Sequence, residues 1–247
     1  MESYKSFASF YDCLTENVDY KAICERFCAL FSEHGNGGNI VLDLACGTGS
    51  LSMLLAEKGF DVVATDASEQ MLSKAINKGV CFGNPMFLNQ SMQNLDLFGT
   101  IDAAVCTLDS INHLKTKSDV EKAFKKVSLF LNPKGLFVFD VNTLYKHSNV
   151  LGNNNFVYDF DDVYCVWQNE FHAKSGKVDI SLDFFKEQKD GSYLRFSEDF
   201  SEYYYDDDFL TELCEKNSMT VLERFDDFTE NKANEKSQRV LYLCRKD

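Results

Sequence analysis

The sequence has little positive charge and no long apolar segment. Its 247 residues include 25 Lys and Arg against 39 Asp and Glu, which gives a net charge of −14. Such an acidic surface repels phosphate backbones and anionic lipid headgroups. No apolar run approaches the roughly 18 residues that a membrane-spanning helix requires. We therefore expect no membrane partner, and nucleic acid is disfavoured.

The chain also lacks any CxxC pair, although it contains 9 cysteines. An odd number of scattered cysteines favours reduced thiols that pack as small apolar residues. Because structural disulfides belong to oxidising compartments, this pattern predicts a cytoplasmic protein.

Strand-like and helical patterns alternate through the first part of the chain. Short apolar runs such as "NIVLDLA" and "DVVATD" are typical of parallel strands buried on both faces, and a helical pattern follows each. The alternation up to residue 142 predicts a doubly wound α/β sheet, preceded by a helical segment over 1–39. Ser118 and Glu121 are expected to form a capping box at the start of the helix after the fourth strand.

The pattern changes after residue 150. Helical spacing is lost over about 155–205, and four long strand-like segments appear, with turn sequences "KSGK" and "KDGS" between some of them. A helix and two final strands follow. We therefore predict a core formed by 40–150 and 206–247, interrupted by an antiparallel β insertion at 151–205.

A glycine-containing turn lies at the edge of the predicted sheet where open α/β folds bind ligands. Gly47 and Gly49 would let the backbone approach a ligand without a side-chain collision. Asp66 ends the second strand, where an acid can bind the hydroxyls of a ribose. Its alternative role is to cap the next helix, for which Ser68 competes. The pattern predicts a nucleotide-like cofactor.

Two cofactor classes suit this turn. A dinucleotide fingerprint, GxGxxG, requires a third glycine, but Ser52 stands at that position, which weakens the case for an NAD-dependent oxidoreductase. Asp43 is a second clue, because a carboxylate within an apolar strand is costly to bury without a partner. A ligand ammonium group or the amides of the turn could supply that partner.

The motif "LDLACGTG", the acidic end of strand two and "LDSINHL" after strand four resemble class I S-adenosylmethionine-dependent methyltransferases. The chain is most similar to a bacterial small-molecule branch that carries a β-sheet insertion after strand five, and the resemblance covers nearly its whole length. It implies a seven-stranded Rossmann-like sheet with an inserted antiparallel lid, and S-adenosylmethionine as cofactor. Methyl transfer is an in-line displacement that needs no metal, so we expect no metal site.

The resemblance also implies roles for individual residues. The cofactor-binding residues would be Tyr11, Asp43, Ala45, Gly47, Gly49, Asp66, Ala67, Met71, Ser91, Met92 and Leu108. At position 91 the family usually has an acid that binds the adenine amino group, so a serine or a backbone group would replace it here. Tyr11 would close over the cofactor, and a place in the core is its alternative.

The sequence says less about the site that binds the methyl acceptor. Asp109 and His113, in the loop after strand four, are the candidate catalytic residues if the acceptor must lose a proton; a surface or capping role is the alternative for His113. Tyr158, Trp167 and Tyr204 are candidate substrate-binding residues. An aromatic wall could favour a cationic amine, unless these rings pack the core of the insertion itself.

These features predict a methyltransferase that acts on a small molecule, with the acceptor and the oligomeric state left open. The loop "TLDSIN" lacks the "NPPY" pattern of enzymes that methylate adenine or glutamine amino groups, and no proline–cysteine pair marks a cytosine enzyme. An RNA methyltransferase, a cofactor-binding protein without catalysis and an NAD-dependent oxidoreductase are the alternatives.

Overall fold

The structure is a computed structural model that describes residues 4–79 and 83–247. Its strands, in chain order, are β1 (Ile40–Leu44), β2 (Asp61–Asp66), β3 (Met86–Asn89), β4 (Ile101–Cys106), β5 (Leu131–Asn142), β6 (Asn155–Phe160), β7 (Val163–His172), β8 (Lys177–Glu187), β9 (Tyr193–Glu202), β10 (Met219–Asp226) and β11 (Arg239–Lys246). Its α-helices are α1 (Tyr4–Leu14), α2 (Tyr20–His34), α3 (Ser50–Glu57), α4 (Glu69–Asn77), α5 (Lys117–Phe130) and α6 (Asp207–Lys216). Over this described part of the chain, every helix is too short or too polar to traverse a lipid bilayer.

Seven strands form one sheet in the order β10-β11-β5-β4-β1-β2-β3. The strands β1 to β5 pair in parallel, whereas β11 is antiparallel to both β5 and β10. Because β1 lies between β2 and β4, the chain reverses its direction of winding there, and a crevice opens at the carboxyl ends of these strands. The predicted doubly wound, seven-stranded Rossmann-like sheet is confirmed.

Helices cover both faces of this sheet, which explains its apolar strands. One face packs on a buried cluster that includes Phe124, Phe137 and Phe139, and the other on a cluster that includes Phe27 and Leu55. The central strands therefore have no polar face, and a polar side chain within them must find its partner inside the protein.

The predicted capping box is wrong. The N-cap of helix α5 lies two residues earlier, because the Thr116 hydroxyl accepts the N–H of Asp119 at 3.1 Å and donates to its carboxylate at 2.7 Å. Thr116 therefore satisfies the first turn, and Ser118 lies within the helix.

The remaining four strands form a separate antiparallel sheet in the order β6-β7-β8-β9. This is the predicted insertion, and its inner face is apolar and buried, as the alternation of Val178, Ile180, Leu182 and Phe184 indicates. Helix α1 packs on that face, where the rings of Phe10 and Phe184 stack with centroids 4.6 Å apart. The insertion and α1 therefore form one layer.

Asn112 joins the insertion to the main sheet. Its buried side chain accepts the backbone N–H of Asn142 at 2.8 Å and donates to the carbonyl of Tyr203 at 2.9 Å. One amide thus connects the loop after β4, the end of β5 and the chain that leaves β9.

Replacement of Asn112 by Ala should lower the free energy of unfolding by about 2–4 kcal/mol, because it leaves a buried N–H and a buried carbonyl short of a partner. Denaturant unfolding measures this change. Asn77→Ala, at an exposed position in α4, is the matched control and should cost nothing. Equal stability of the two variants would contradict the role given to Asn112.

Candidate active site

The glycine turn after β1 is held by the carboxylate at the end of β2. Asp66 accepts the N–H of Gly47 at 2.9 Å through one oxygen and the N–H of Ser68 at 2.8 Å through the other. Ser68 itself caps α4, where its hydroxyl accepts the N–H of Met71. Asp66 therefore does not have the capping role considered as its alternative, and its carboxylate lies beside the glycine turn at the carboxyl end of β2. Burial raises the pKa of Asp66 above its ordinary value, although both amides oppose that shift.

Gly47 and Gly49 have different neighbours, so the turn needs each glycine for a different reason. Both have a left-handed φ, 55° for Gly47 and 73° for Gly49. A Cβ on Gly49 would lie 2.9 Å from the Cβ of Ala75, so close packing of α4 against the turn requires that glycine. A Cβ on Gly47 would instead point at the ring of Tyr11, 3.7 Å away. Gly47 therefore shapes the space between the turn and α1.

Helix α1 covers the turn and is fastened to it by a polar cluster. The Thr48 hydroxyl donates to Asp12 at 2.6 Å, and the Lys78 ammonium contacts Asp12 at 3.0 Å and the hydroxyls of Thr48 and Ser50 at 2.9 Å. Burial is the main cause that raises the pKa of Tyr11, next to Asp12 in the chain. The ring of Tyr11 lies next to the turn, and its predicted role of closing over the cofactor stays a prediction.

Asp43 is almost completely buried, with 1% of its surface exposed. Its partner is the hydroxyl of Ser52, which donates at 2.5 Å, rather than an amide of the turn. Ser52 stands where a dinucleotide fingerprint has its third glycine. The serine at this position therefore breaks that fingerprint and also supplies Asp43 with a hydrogen-bond donor. Burial raises the pKa of Asp43 from 3.8 to about 7, although the Ser52 bond opposes the shift.

Four other predicted cofactor residues follow the carboxyl ends of β2 and β3 in the chain. Ala67 is exposed after β2, and Met71 is buried in α4. Ser91 follows β3, precedes a short 3-10 helix and accepts the side-chain amide of Asn94 at 3.0 Å. Met92 packs against the main core. Their contacts with a cofactor stay predictions.

The loop after β4 has an unusual backbone. Leu108 and Asp109 both have φ of 56°, in the left-handed region that side chains such as leucine rarely adopt. The carboxylate of Asp140, fully buried in β5, accepts both of their N–H groups, at 2.7 and 2.8 Å. Arg239, at the start of β11, contacts Asp140 at 3.3 Å and Asp109 at 2.8 Å. This arrangement fixes the direction of the Asp109 side chain.

Asp109, His113 and Glu202 form an acid–histidine group. One ligand atom from each lies within 4.8 Å of the other two, and His113 Nε2 is 3.8 Å from Asp109 Oδ2. Burial, and then repulsion from Glu202, raise the pKa of Asp109 to about 6. The ring of His113 also contacts that of Phe200 on the insertion, with centroids 5.2 Å apart.

Glu202 reaches this group from the insertion. Burial alone would raise its pKa, but hydrogen bonds from His147 and Asn142 and the nearby His113 lower it to about 2. Both bonds, at 3.2 and 2.7 Å, involve Oε2. The other ring nitrogen of His147 lies 2.7 Å from the carbonyl of Gly176. Neither of the Glu202 bonds involves Oε1.

The three predicted substrate-binding aromatics do not form one wall. Tyr158 and Trp167 lie together on the inner face of the insertion, with ring centroids 6.4 Å apart, and the indole N–H donates to Asn169. Tyr204 lies beyond β9, where it lines a different cavity of about 350 Å³ together with Tyr145. Their contacts with a substrate stay untested predictions.

Sequence reasoning missed four residues of this site, Asp140, Glu202, Arg239 and Lys78. The pairing of β11 with β5 sets Arg239 beside Asn142, and β9 brings Glu202 from 60 residues beyond Asn142. No local spacing connects such positions. The one available signal was Asp140 within the apolar strand "LFVFDVN". Like Asp43, a carboxylate in such a strand needs a partner inside the protein.

The assembled groups suit a cofactor at the crevice and a cation beside Asp109. At the crevice, Gly47 leaves open backbone below Tyr11, and Asp66 offers acceptors to hydroxyl groups. The acid–histidine group of Asp109, His113 and Glu202 could hold a divalent metal ion or an ammonium group. Since Asp109 Oδ1 bonds Arg239 and Glu202 Oε2 bonds Asn142 and His147, each acid has one oxygen for that cation.

The chain is similar to known methyltransferases. A family model described as "Methyltransferase domain" matches residues 41–135. A Bacillus subtilis (strain 168) protein named "Putative methyltransferase YqeM" is 34% identical over 244 residues, covering 98% of this chain and 97% of that protein. The "Glycine/sarcosine N-methyltransferase" of Halorhodospira halochloris is 37% identical over 107 residues, covering 42% of this chain and 40% of that protein.

Solved structures show the same fold. The crystal structure of an S-adenosylmethionine-dependent methyltransferase from Clostridium acetobutylicum ATCC 824 is 35% identical, with a TM-score of 0.88 and 98% of both chains covered. Streptomyces venezuelae DesVI, at 19% identity, has a TM-score of 0.81, with 97% of this chain and 98% of that chain covered. At 19% identity, the similarity to DesVI shows the fold alone.

The raised pKa of Asp43 predicts a pH-dependent stability. Between about pH 4 and pH 7 the folded protein keeps a proton that the unfolded chain releases, so the free energy of unfolding falls as pH rises through this window. Asp43→Asn removes the contribution, because its amide oxygen still accepts from Ser52 and carries no charge.

Denaturant unfolding of both proteins at pH 4 and pH 8 measures the difference. From pH 4 to pH 8, we expect the free energy of unfolding of the variant to rise by up to about 4 kcal/mol relative to that of the parent protein. A constant difference between the two proteins would show that Asp43 is charged in the folded state at both.

Proposed function

The chain belongs to the S-adenosylmethionine-dependent methyltransferases, and we propose that it methylates the nitrogen of a small-molecule amine. The observation that carries this proposal is the acid–histidine group of Asp109, His113 and Glu202, which lies between the loop after β4 and the insertion. Two carboxylates beside a histidine attract a protonated amine.

The chain's own residues fit the cofactor at the crevice. In this proposal Asp66 accepts the ribose hydroxyls, Gly47 leaves room for the ligand, and Tyr11 covers it. Bound S-adenosylmethionine supplies a methyl group on a positively charged sulfur. The nucleophile must then lie in line behind the methyl carbon, and α1 and the insertion exclude water from that region.

An amine must lose a proton before its nitrogen can attack. Asp109 Oδ2 and Glu202 Oε1 each accept one N–H of the ammonium group and hold the nitrogen beside His113. Asp109, with a pKa of about 6, is ionised at neutral pH and accepts a proton from the ammonium group, which frees the nitrogen lone pair to attack the methyl carbon. The Arg239 contact and the Asp140 clamp keep the Asp109 carboxylate in place during this transfer.

An ammonium group suits this site better than a divalent metal ion. Metal ions prefer several oxygen or nitrogen ligands at short distances, whereas Arg239 and the His147–Asn142 pair already occupy half of the carboxylate oxygens. The name of the Halorhodospira relative supports amine chemistry in general. Because that relative matches 42% of the chain, the site and not the name carries the proposal.

Replacement of Asp66 by Ala should weaken the binding of S-adenosylmethionine and S-adenosylhomocysteine by roughly 1.5–3 kcal/mol, because charge-assisted hydrogen bonds to the ribose are lost. Titration calorimetry measures both affinities. Asp61→Ala, at the exposed start of the same strand, is the control and should bind like the parent protein. Unchanged affinity in Asp66→Ala would remove Asp66 from the cofactor site, and no binding to the folded parent protein would refute the proposed function.

Asp109→Asn should lower kcat for the amine acceptor by about 10²- to 10⁴-fold and remove the acidic limb of the pH–rate profile near pH 6. The assay measures S-adenosylhomocysteine release across a panel of amines, alcohols and thiols, and only amines should be turned over. Asp159→Asn on the insertion is the control. Turnover of alcohols or thiols alone would exclude an amine acceptor.

A further inference from the structure

A second glutamate on β9 faces the interior, and one of its carboxylate oxygens has no hydrogen-bond partner in the part of the chain that the structure describes. Glu198 pairs in register with Leu182 and therefore lies on the inner, apolar face of the insertion. Only 3% of its surface is exposed, and within residues 4–79 and 83–247 its oxygen Oε2 has no hydrogen-bond partner. A buried carboxylate oxygen without a donor is rare, because its desolvation is not compensated.

The surroundings of Glu198 give no reason for a charge at this position. Burial, and then the negative charge of the neighbouring Asp199, raise the pKa of Glu198 above its ordinary value. A leucine at this position would pack against Leu182 at no such cost. The carboxylate therefore destabilises the ligand-free protein, which suggests that it serves a ligand.

Glu198 lies on the same strand face as the acid of the acceptor site. Alternate residues of β9 place Phe196, Glu198, Phe200 and Glu202 on one side. The ring of Phe200 contacts His113, and that of Phe196 contacts Phe10 of α1. The inner face of β9 thus presents two acids, about 13 Å apart along the strand, with an aromatic ring between them.

We propose that Glu198 binds a second cationic nitrogen of the acceptor, so that the acceptor is an aliphatic di- or polyamine. This inference rests on the proposed function. One amino group lies between Asp109 and Glu202, the hydrocarbon segment passes Phe200, and the second amino group reaches Glu198. The second ammonium then neutralises an acid that the apolar face does not satisfy, and the net charge of −14 attracts polycations to the protein.

Titration calorimetry with spermidine tests this proposal, in the presence of saturating S-adenosylhomocysteine so that no turnover occurs. Spermidine should bind the parent protein, and butylamine, which has one amino group, should bind at least about tenfold more weakly. Glu198→Gln should lose about tenfold or more of the spermidine affinity and keep the butylamine affinity. Glu170→Gln, an exposed position on the opposite face of the insertion, is the matched control.

Two further measurements separate a binding role from a structural one. Glu198→Gln should raise the Tm of the ligand-free protein, because it removes a buried charge, and should leave S-adenosylhomocysteine affinity unchanged. Absence of spermidine binding to the parent protein, or equal binding to Glu198→Gln, would overturn the inference while the proposed function still stands. Failure of the parent protein to bind S-adenosylhomocysteine would instead refute the proposed function.

Discussion

The carboxylate of Asp140 is the constraint on which the acceptor side of this protein depends. It accepts two consecutive N–H groups from a loop whose residues, Leu108 and Asp109, both have left-handed backbones. Such a conformation costs roughly 1–2 kcal/mol per residue, so the loop requires a fixed acceptor to keep it. Arg239 then pairs with Asp140 and Asp109 together. The direction of Asp109, and with it the position of the proposed proton acceptor, follows from that single buried charge.

Helix α1 relates the two halves of the site. Successive residues of this helix face three different partners: Phe10 packs on the insertion, Tyr11 lies over the glycine turn and Asp12 bonds Thr48 and Lys78. A shift of α1 must therefore change the cofactor crevice and the inner face of the insertion together. Since the acids of β9 lie on that same face, the proposed cofactor and acceptor sites have α1 as a common wall.

The sequence predicted those parts of the fold and site that rest on local patterns. The alternation of strands and helices, the glycine turn and the β insertion follow from short-range spacing, and the partner required by Asp43 could be anticipated from its apolar strand. Its identity, Ser52, and the acids and bases around Asp109 depend on register between distant strands, which spacing does not encode. The helix start at Thr116 was missed for a simpler reason, since two hydroxyl residues competed for one cap.

The two halves of the site differ in how their acids are satisfied. On the cofactor side, Asp43 bonds Ser52 and Asp66 bonds two amides, so these carboxylates are held in place before any ligand arrives. On the acceptor side, Asp109 and Glu202 repel each other, and Glu198 has an oxygen without a donor. Under the proposed function, these acids select the acceptor by its positive charge. In that proposal the acids, more than the aromatic rings of the insertion, define the chemistry of the acceptor.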